Sequence, residues 1–324
     1  MNDFAFKTYI HDGQEYFIFG EKNAVDKGDI EPKVFPFPQS FLLMLSLNPV
    51  EIEKITNPLW KKFDQFYQTP TSKLEKEIMA ALDELAQMHI YFELLKLDWE
   101  RRFAKAKASH YENVLDDLPR KEITHIYSNF QVMQQQIATL FHEVLYFEDD
   151  RDEIPDRMIA YYEKELPDDS DRYELKPYPV SYELVKQGEF TDVLYPKTIY
   201  DLIGFALREC VKRKIRMRVC ESCGRWFAMT GRSTAIYCNL PRNGKVTGCR
   251  GLAAVKKWTD KRNAESPAFR EYRREYKRRF AWIKSGRITA EQFYAWSEQA
   301  RMREDHCEKG EMTFEEFVDW LKWE

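Results

Sequence analysis

Large apolar residues alternate with polar ones at the start of the chain, on both sides of a short polar turn. Phe4, Phe6, Tyr9 and Ile10 precede His11-Asp12-Gly13-Gln14, and Tyr16, Ile18 and Phe19 follow it. Alternation with a period of two is typical of a strand, and an Asp-Gly pair is typical of a tight turn. The pattern predicts an N-terminal β-hairpin, followed by a proline-rich connector from Pro32 to Pro38.

Helical periodicity dominates the next segment. Apolar residues recur at steps of three and four from Leu74 to Phe103, which predicts one long helix. Ser72, with Glu75 three residues later, has the pattern of a capping box at its start. A similar stripe from Ile123 to Val144 predicts a second long helix. We expect the two helices to pack as an antiparallel pair.

Shorter elements follow. The acidic stretch from Glu148 to Glu174 predicts a surface helix flanked by loops. Val180 to Val185 is strand-like and leads to a turn at Gln187-Gly188. Apolar residues from Ile199 to Cys210 then stripe another helix, which runs directly into a cluster of cysteines.

Composition sets the class of protein. The chain has 324 residues, of which 44% are hydrophobic and 32% are charged, so it can bury a core. Its mean hydropathy is -0.63, and no apolar run approaches the ~20 residues that a membrane span needs. The N-terminus lacks the pattern of a signal peptide. We therefore expect a cytoplasmic protein without membrane association, and the pattern of elements predicts an α+β and predominantly helical fold.

The net charge of -4 hides an uneven distribution. Residues 1–204 hold 23 basic and 38 acidic residues, or -15. Residues 205–290 hold 23 basic and 6 acidic residues, or +17, and residues 291–324 hold 4 and 10, or -6. A strongly positive segment within an acidic protein indicates an anionic partner.

Four cysteines within that segment have the spacing of a zinc site. Cys220 and Cys223 are separated by two residues, Cys238 follows after fourteen, and Cys249 after ten more. A two-residue spacer lets both thiolates reach one tetrahedral ion at about 2.3 Å, and Gly224 suits the left-handed position that closes such a turn. Four sulfurs leave no position for water, so the spacing predicts one structural Zn²⁺ rather than a catalytic one.

The residues between the cysteines predict the rest of the finger. Arg225 to Met229 is strand-like, residues 231–233 suit a turn, and residues 235–237 suit a returning strand. Cys249 should start a helix, where the positive end of the helix favours a thiolate. The charge of four thiolates requires cations nearby. The available ones are Arg218, Arg225, Arg232, Arg242, Lys245 and Arg250.

Two family resemblances attach to these residues. The run Cys-x-x-Cys-Gly-Arg-Trp-Phe, with Tyr237-Cys238 and Cys249-Arg250, resembles the CGNR-type zinc finger of bacterial transcriptional regulators, although the Cys-Gly-Asn-Arg signature itself is missing. From Tyr195 to Trp320, including Arg287 to Trp296, the chain is similar to a bacterial domain-of-unknown-function family (DUF6076). The resemblance implies a zinc-ribbon or treble-clef-like finger with a helical cap, and supplies no activity.

These features divide the chain into four parts. Residues 1–175 form an acidic, mainly helical domain, and residues 176–214 a connecting strand and helix. The four-cysteine zinc finger spans 215–265, and a basic helix with a helical cap spans 266–324. In the basic helix, the aromatic stripe Phe269 to Ile283 has the spacing of a core face. Its cations, including Arg279, should then point outward, and Trp320, Leu321 and Trp323 should pack onto the cap.

Clustered cations on a small zinc module are typical of phosphate contacts. We therefore expect the protein to bind DNA or RNA, with a regulatory role. The candidate contacts are Arg225, Arg232, Arg242, Lys245, Arg250, Lys256, Lys257, Arg270, Arg273, Arg274, Lys277 and Arg278.

Other functions remain open. The basic surface could bind an acidic protein partner or the chain's own acidic half. Enzyme motifs are absent: His142-Glu143 has Tyr146 where a helical zinc protease has its second histidine. His89 has the setting of a core histidine. The sequence favours a protein without catalytic activity but leaves the question open, and an enzyme that acts on nucleic acid through carboxylates scattered in sequence is the third hypothesis.

Overall fold

A computed structural model describes residues 4–146, 153–164, 172–230, 234–241, 248–264 and 266–323 of the chain, with backbone alone for 256–258, 260–264 and 323. The fold is α+β and mostly helical, as the sequence predicts. The strands are β1 (Phe4–His11), β2 (Gln14–Glu21), β3 (Lys33–Pro36), β4 (Val180–Leu184), β5 (Phe190–Leu194), β6 (Met217–Val219) and β7 (Trp226–Ala228).

The helices fall into two runs along the chain. Before the strand β4 they are α1 (Lys22–Lys27), α2 (Gln39–Leu45), α3 (Pro49–Thr56), α4 (Leu59–Gln68), α5 (Ser72–Met88), α6 (Tyr91–Ala108), α7 (Val114–Asp117), α8 (Lys121–Thr124), α9 (Ile126–Leu140), a π-helical turn (Phe141–Leu145) and α10 (Ile154–Glu163). After it they are α11 (Ile199–Lys212), α12 (Cys249–Ala264), α13 (Pro267–Lys284), α14 (Ala290–Glu308) and α15 (Phe314–Trp323).

Five of the described strands form an antiparallel sheet in the order β3-β2-β1-β5-β4. The predicted N-terminal hairpin is confirmed, and Asp12 and Gly13 both take positive φ in its turn, as a two-residue turn of this hand requires. The proline-rich connector is not a plain loop: residues 33–36 pair with β2 as the strand β3. The predicted strand near residue 180 forms a second hairpin with β5, and β5 pairs with β1.

The first predicted long helix is in fact two helices. The helix α5 ends at Met88, His89 and Ile90 turn the chain, and α6 runs back along α5. The antiparallel arrangement is visible in two ion pairs that join the helices, Lys96 with Asp83 at 2.7 Å and Lys107 with Glu75 at 2.6 Å. Periodicity did not reveal the break because both helices keep their apolar stripe up to it.

Two further expectations about these helices are wrong. The helix α5 is capped by Thr71, whose side chain accepts from the backbone N–H of Leu74, so Ser72 is not the N-cap. The second stripe comprises α8, α9 and the π-helical turn, and α9 packs against α3 rather than pairing with a single long helix. The acidic segment contains the helix α10, and residues 147–152 and 165–171 lie outside the described residues.

The chain divides into two compact units, Met1–Cys249 and Arg250–Glu324. In the first unit, one core joins the helices to one face of the sheet, while Tyr9, Ile18 and Val193 pack with Val25 of α1 on the other face. All four cysteines of the predicted zinc site belong to this unit. No helix in the described part of the chain is long and apolar enough to cross a membrane.

The second unit has a core of its own, formed by α13, α14 and α15. Its fully or nearly buried residues are Ala268, Tyr272, Phe293, Trp296, Ala300, Phe317 and Leu321. The aromatic stripe of α13 therefore faces a core, although Phe280 at its end stays 46% exposed. Trp320 and Leu321 pack onto this core, as the sequence predicts, and the side chain of Trp323 is not among those described.

Candidate metal centre

The first two cysteines lie in the connection between two short strands. The strands β6 and β7 pair with Val219 opposite Trp226, and the connection between them carries Cys220 and Cys223. This corrects the predicted hairpin, because β7 pairs with the strand before the cysteines and residues 235–237 are not a strand. The predicted turn at 231–233 lies outside the described residues.

Backbone hydrogen bonds fold this connection into a tight turn. The N–H of Cys220 donates to the carbonyl of Arg225 at 2.9 Å, and the N–H of Gly224 donates to the carbonyl of Cys220 at 2.9 Å. Gly224 has φ +70°, so the predicted left-handed glycine is confirmed. The turn places the Cys220 and Cys223 side chains on the same side of the hairpin end.

Two further segments bring in the remaining cysteines. The N–H of Glu221 donates to the carbonyl of Ile236 at 3.1 Å, which fixes the 234–241 segment against the turn. Cys238 follows two residues later, and its N–H donates to the Cys220 sulfur at 3.4 Å. Cys249 is the first residue of α12, as predicted.

The four sulfurs lie where a single ion could bind them all. They lie within 4.8 Å of one another, and the Cys223 and Cys238 sulfurs are 3.7 Å apart. Sulfurs at about 2.3 Å from a tetrahedral zinc ion are separated by about 3.8 Å, whereas a disulfide needs about 2.05 Å. The thiols are free of disulfides. The spacing of the sulfurs therefore fits a tetrahedral metal site and no disulfide.

Burial and charge also suit metal-bound thiolates. Cys220, Cys238 and Cys249 are buried and Cys223 is half-buried. The Arg225 side chain lies over the group, where its Nε donates to the Cys223 sulfur at 3.5 Å. Two other guanidinium nitrogens of Arg225 donate to the carbonyls of Leu240 and Pro241. Arg225 thus brings one positive charge to the thiolates and ties the segment that carries Cys238.

The pKa values of Cys223 and Cys238 differ from the ordinary thiol value in opposite directions. Burial raises the pKa of Cys223, but hydrogen bonds from the side chain and backbone of Arg225 and from the thiols of Cys249 and Cys220 together lower it by more, so its pKa lies below the ordinary thiol value. Burial raises the pKa of Cys238 well above that value. The arginine therefore prepares one sulfur as a thiolate, and the buried sulfur needs a cation to lose its proton.

The cysteine group fits a resident metal ion by its donor chemistry. Among the described residues it is the one cluster of three or more cysteine, histidine or carboxylate ligands close enough to hold an ion. Cys210, buried on α11, and Cys307, on α14, are not part of it. The arrangement can hold an ion in place, and four sulfurs leave no open coordination position for chemistry on it.

Sequence reasoning missed the role of Gly248. A Cβ at this position would lie 2.5 Å from the backbone of Asn239, so only glycine lets the start of α12 approach the residue that follows Cys238. The glycine next to Cys249 was visible in the sequence, but its close neighbour is nine residues away and could not be inferred from spacing.

The finger is built onto the helical body of the first unit. Trp226 of β7 contacts Phe141 with ring centroids 5.4 Å apart and Tyr146 at 6.2 Å, both edge to face. Phe141 begins the π-helical turn at the end of α9. The turn that carries the first two cysteines therefore rests on the main core.

The cations predicted to contact nucleic acid fall into three groups: one contacts the cysteines, some lie outside the described residues, and the others are exposed. Arg225 is committed to the cysteine group, and Arg250 is exposed at the start of α12. Arg232, Arg242 and Lys245 lie outside the described residues, as do the side chains of Lys256 and Lys257. The other candidates are exposed on α13: Arg270, Arg273, Arg274, Lys277 and Arg278.

Carboxylates of α13 compensate part of this charge. Arg278 pairs with Glu275 at 2.5 Å, and Arg274 pairs with Glu271 at 3.5 Å. The expectation that Arg279 points outward is wrong, because its side chain is buried. Its guanidinium group lies 4.5 Å from the centre of the Trp296 ring and donates to the carbonyl of Leu321. Arg279 lies on the buried face of α13. The Trp296 ring and the Leu321 carbonyl stabilise its positive charge there.

Comparison with known proteins places the C-terminal part of the chain beside a protein family. Residues 180–321 match the model of a family of unknown function (DUF6076), which supports the resemblance to that family noted in the sequence. The matched region starts at the strand β4 and includes the four cysteines and most of the second unit. No curated protein and no solved structure matches the chain significantly.

Proposed function

We propose that the four cysteines bind one structural Zn²⁺ and that the second unit carries a surface for nucleic acid. The metal assignment is supported by four thiols at tetrahedral spacing, with Arg225 beside them. Thiolate ligands favour zinc over hard cations such as magnesium or calcium. When bound, the ion holds the turn, the 234–241 segment and the start of α12 together, in the manner of a treble-clef or zinc-ribbon finger.

The observation that carries the nucleic-acid proposal is a stripe of cations on α13. At about 100° per residue, Arg270, Arg273, Arg274, Lys277 and Lys284 fall within roughly one third of the helix circumference. All five are exposed, and the stripe is opposite the face of Tyr272 that packs in the core. From residue 270 to 284 it extends for about 21 Å, a length along which duplex DNA carries about twelve phosphate charges.

Metal analysis tests the first part of the proposal. Protein purified under reducing conditions without chelator should contain one zinc per chain, measured by elemental analysis. Cys223→Ser should lose the zinc, and Cys307→Ser should keep it because Cys307 lies outside the group. A zinc content near zero in the wild-type protein, or equal contents in the two variants, would contradict the assignment.

A salt titration tests the second part. The affinity of the full chain for duplex DNA and for single-stranded RNA should fall with salt, at a slope near -0.9 per phosphate neutralised on duplex DNA. Reversal of Arg270 and Lys277 to Glu should remove two phosphate contacts, so the magnitude of that slope should fall by about two. Neither side chain has an ion-pair partner in the described part of the chain, so the reversal should hardly change the melting temperature.

The matched control reverses Arg301 and Lys322, which are exposed on α14 and α15 of the same unit. It makes the same change in net charge away from the stripe, and it should leave the slope unchanged. If both double variants bind equally, only net charge matters and the stripe is not the site. If the wild-type protein binds neither nucleic acid at low salt, the proposal fails and an acidic protein becomes the better partner for this surface.

A further inference from the structure

A cavity of about 350 Å³ opens in the first unit between α6, α9 and the start of α11. Its floor is apolar and comes from α2, α6, α9 and α11: Met44, Phe92, Phe130, Met133 and Ile203, all of them buried. A volume of this size, with an apolar lining and a few polar groups at the mouth, is typical of a small-molecule site.

The charged groups at the mouth are arranged in an ion-pair network. Asp98 pairs with Arg101 at 2.5 Å and with Arg102 at 2.6 Å, and Arg102 also pairs with Glu122 at 2.9 Å. Both carboxylates are therefore neutralised by arginines of α6. A cationic ligand would have to displace an arginine to reach either of them.

Lys197 also lies at the mouth, and it takes no part in this ion-pair network. Its ammonium group has no ion-pair partner among the described residues, and its side chain is exposed at the rim. It lies just before α11, whose first turn is closed by a capping box between Thr198 and Asp201. The carboxylate of Asp201 accepts from the backbone N–H groups of Lys197 at 2.7 Å and Thr198 at 3.0 Å, so it compensates the positive end of this helix. The ammonium group of Lys197 is then the group at this corner that a ligand can reach. With Asp201 included, three cations and three carboxylates surround the mouth, and Lys197 is the cation whose ammonium group stays available to an anionic ligand.

The cavity continues past this mouth into a second space of about 460 Å³. The two spaces share Leu94, Asp98, Arg102, Lys197 and Thr198, and Phe4, Phe6 and Pro196 form part of the wall of the second. The charged mouth is thus between an apolar floor and a second opening that leads out past β1. A ligand with one charged end can place its apolar part on the floor while its charge stays at the rim.

We propose that this cavity binds a small amphipathic monocarboxylate. The apolar body packs among Phe92, Phe130 and Met133, and the carboxylate accepts a hydrogen bond from the ammonium group of Lys197. The proposal depends on neither the metal site nor the cationic stripe of α13.

Calorimetric titration of the full chain with octanoate, octanol and octylamine tests the proposal. The three probes share one apolar chain and differ in the charge of the head group. Octanoate should bind most tightly. Lys197→Met keeps the apolar stem of the side chain, and it should weaken octanoate by about tenfold while leaving octanol unchanged. The control Lys27→Met, at another exposed lysine of the first unit, should change neither.

A second variant tests the floor of the cavity. Met133→Phe fills the space beside Phe130, and it should weaken octanoate and octanol together. Its melting temperature and circular dichroism show whether it folds, and the Lys197→Met result stands independently of it. Equal affinity for octanoate and octanol, tighter binding of octylamine, or octanoate binding that Lys197→Met leaves intact would overturn the proposal.

Discussion

At the scale of single residues, Gly248 is the position where the cysteine group has no room for a side chain. Its Cα lies against the backbone of Asn239, between the segment that carries Cys238 and the helix that starts with Cys249. Any Cβ there must push these two ligands apart. The spacing of the sulfurs thus depends on a residue that binds no metal.

We expect Gly248→Ala to destabilise the site, because the neighbouring atoms are backbone and cannot rotate away. Overpacking of this kind costs about 1–3 kcal/mol. The thermal midpoint should fall, and a competing chelator should remove zinc at lower concentration than from the wild type. The control is Gly204→Ala on α11, where a Cβ would be 3.8 Å from its nearest neighbours and the alanine should be neutral or mildly stabilising. Equal effects of the two would contradict the close-packing argument.

A second group of residues is buried, polar and outside any candidate site. Glu15 accepts from the backbone N–H of Ser40 at 2.6 Å and from its hydroxyl at 2.7 Å. The Nε2 of His89 donates to the carbonyl of Ser40, and its Nδ1 accepts from the N–H of Tyr91. His89 is therefore a hydrogen-bonded core histidine, and it fixes the turn between α5 and α6. Its pKa is lowered to about 4 by burial.

The carboxyl group of Glu15 makes stability depend on pH. Burial raises its pKa to about 8, from an ordinary value of 4.5, although the Ser40 hydrogen bonds act in the opposite direction. Between these two pKa values the folded state holds a proton that the unfolded state has lost, so this contribution to stability decreases as the pH rises from 4.5 to 8. Tyr91 and Cys210 beside it stay uncharged in this range, because burial raises their pKa values.

Glu15→Gln should remove this pH dependence. The free energy of unfolding, measured by urea titration at about pH 5 and about pH 8, should decrease between the two for the wild type by more than for the variant. His89 contributes the opposite trend, since its lowered pKa costs stability as the pH falls from about 6.5 to 4, but it does so in both proteins. A difference between wild type and variant that stays constant across this range would show that Glu15 is ionised in the folded protein.

The residue scale also shows what spacing can predict. The grouping of the four cysteines follows from the two-residue spacer and the two cysteines after it, and the left-handed Gly224 follows from the geometry of such a turn. Gly248 and Lys197 do not follow, because each acquires its role from residues that are distant in sequence. Arg279 was misplaced for a similar reason: its charge indicated exposure, and its helix position placed it against Trp296.

At the scale of elements, the start of α5 shows how a helix cap can be assigned to the wrong residue. Ser72 and Glu75 match a capping box, but Thr71 has the extended backbone of an N-cap and accepts from the N–H of Leu74. Both residues are hydroxyl-bearing neighbours, so the pattern alone could not choose between them. A shift of one residue is a common error where caps are read from sequence.

We expect Thr71→Ala to lower the free energy of unfolding by about 1 kcal/mol, because the first turn of α5 loses its side-chain acceptor. Ser72→Ala should change it by no more than a few tenths of a kcal/mol, since alanine is well tolerated inside a helix. Urea titration of the two variants, prepared in parallel, measures the difference. The opposite order of effects would restore the sequence-based cap.

At the scale of the whole molecule, the sequence predicts the fold class but not the pairing within it. The N-terminal hairpin was visible as a local pattern, and so were the strand from Val180 and the turn at Gln187-Gly188, although β5 itself was not predicted. That β5 pairs with β1, with Tyr9 opposite Val193, depends on the packing of everything between them. Long-range strand pairing has no local pattern in one sequence, whereas short-range turns and helix stripes do.

Removal of the metal should affect the two units unequally. The four cysteines of the proposed zinc site belong to the first unit, and the second unit has a separate core, rich in aromatic residues, from α13, α14 and α15. A structural zinc site contributes an apparent ~10–16 kcal/mol of binding free energy, which folding of the finger uses. Loss of the ion should therefore open the finger while the second core stays packed.

Hydrogen exchange with mass spectrometry measures this, before and after chelation under reducing conditions. Peptides from 217–230 and 234–241 should lose protection, and the loss should extend to the π-helical turn because Phe141 and Tyr146 contact Trp226. Peptides from 267–321 should keep their protection. Cys223→Ser should reproduce the pattern without chelator, and Cys307→Ser should not. Uniform loss across both units would mean that the metal supports the whole chain rather than the finger, because the second core would then depend on the first unit for its folding.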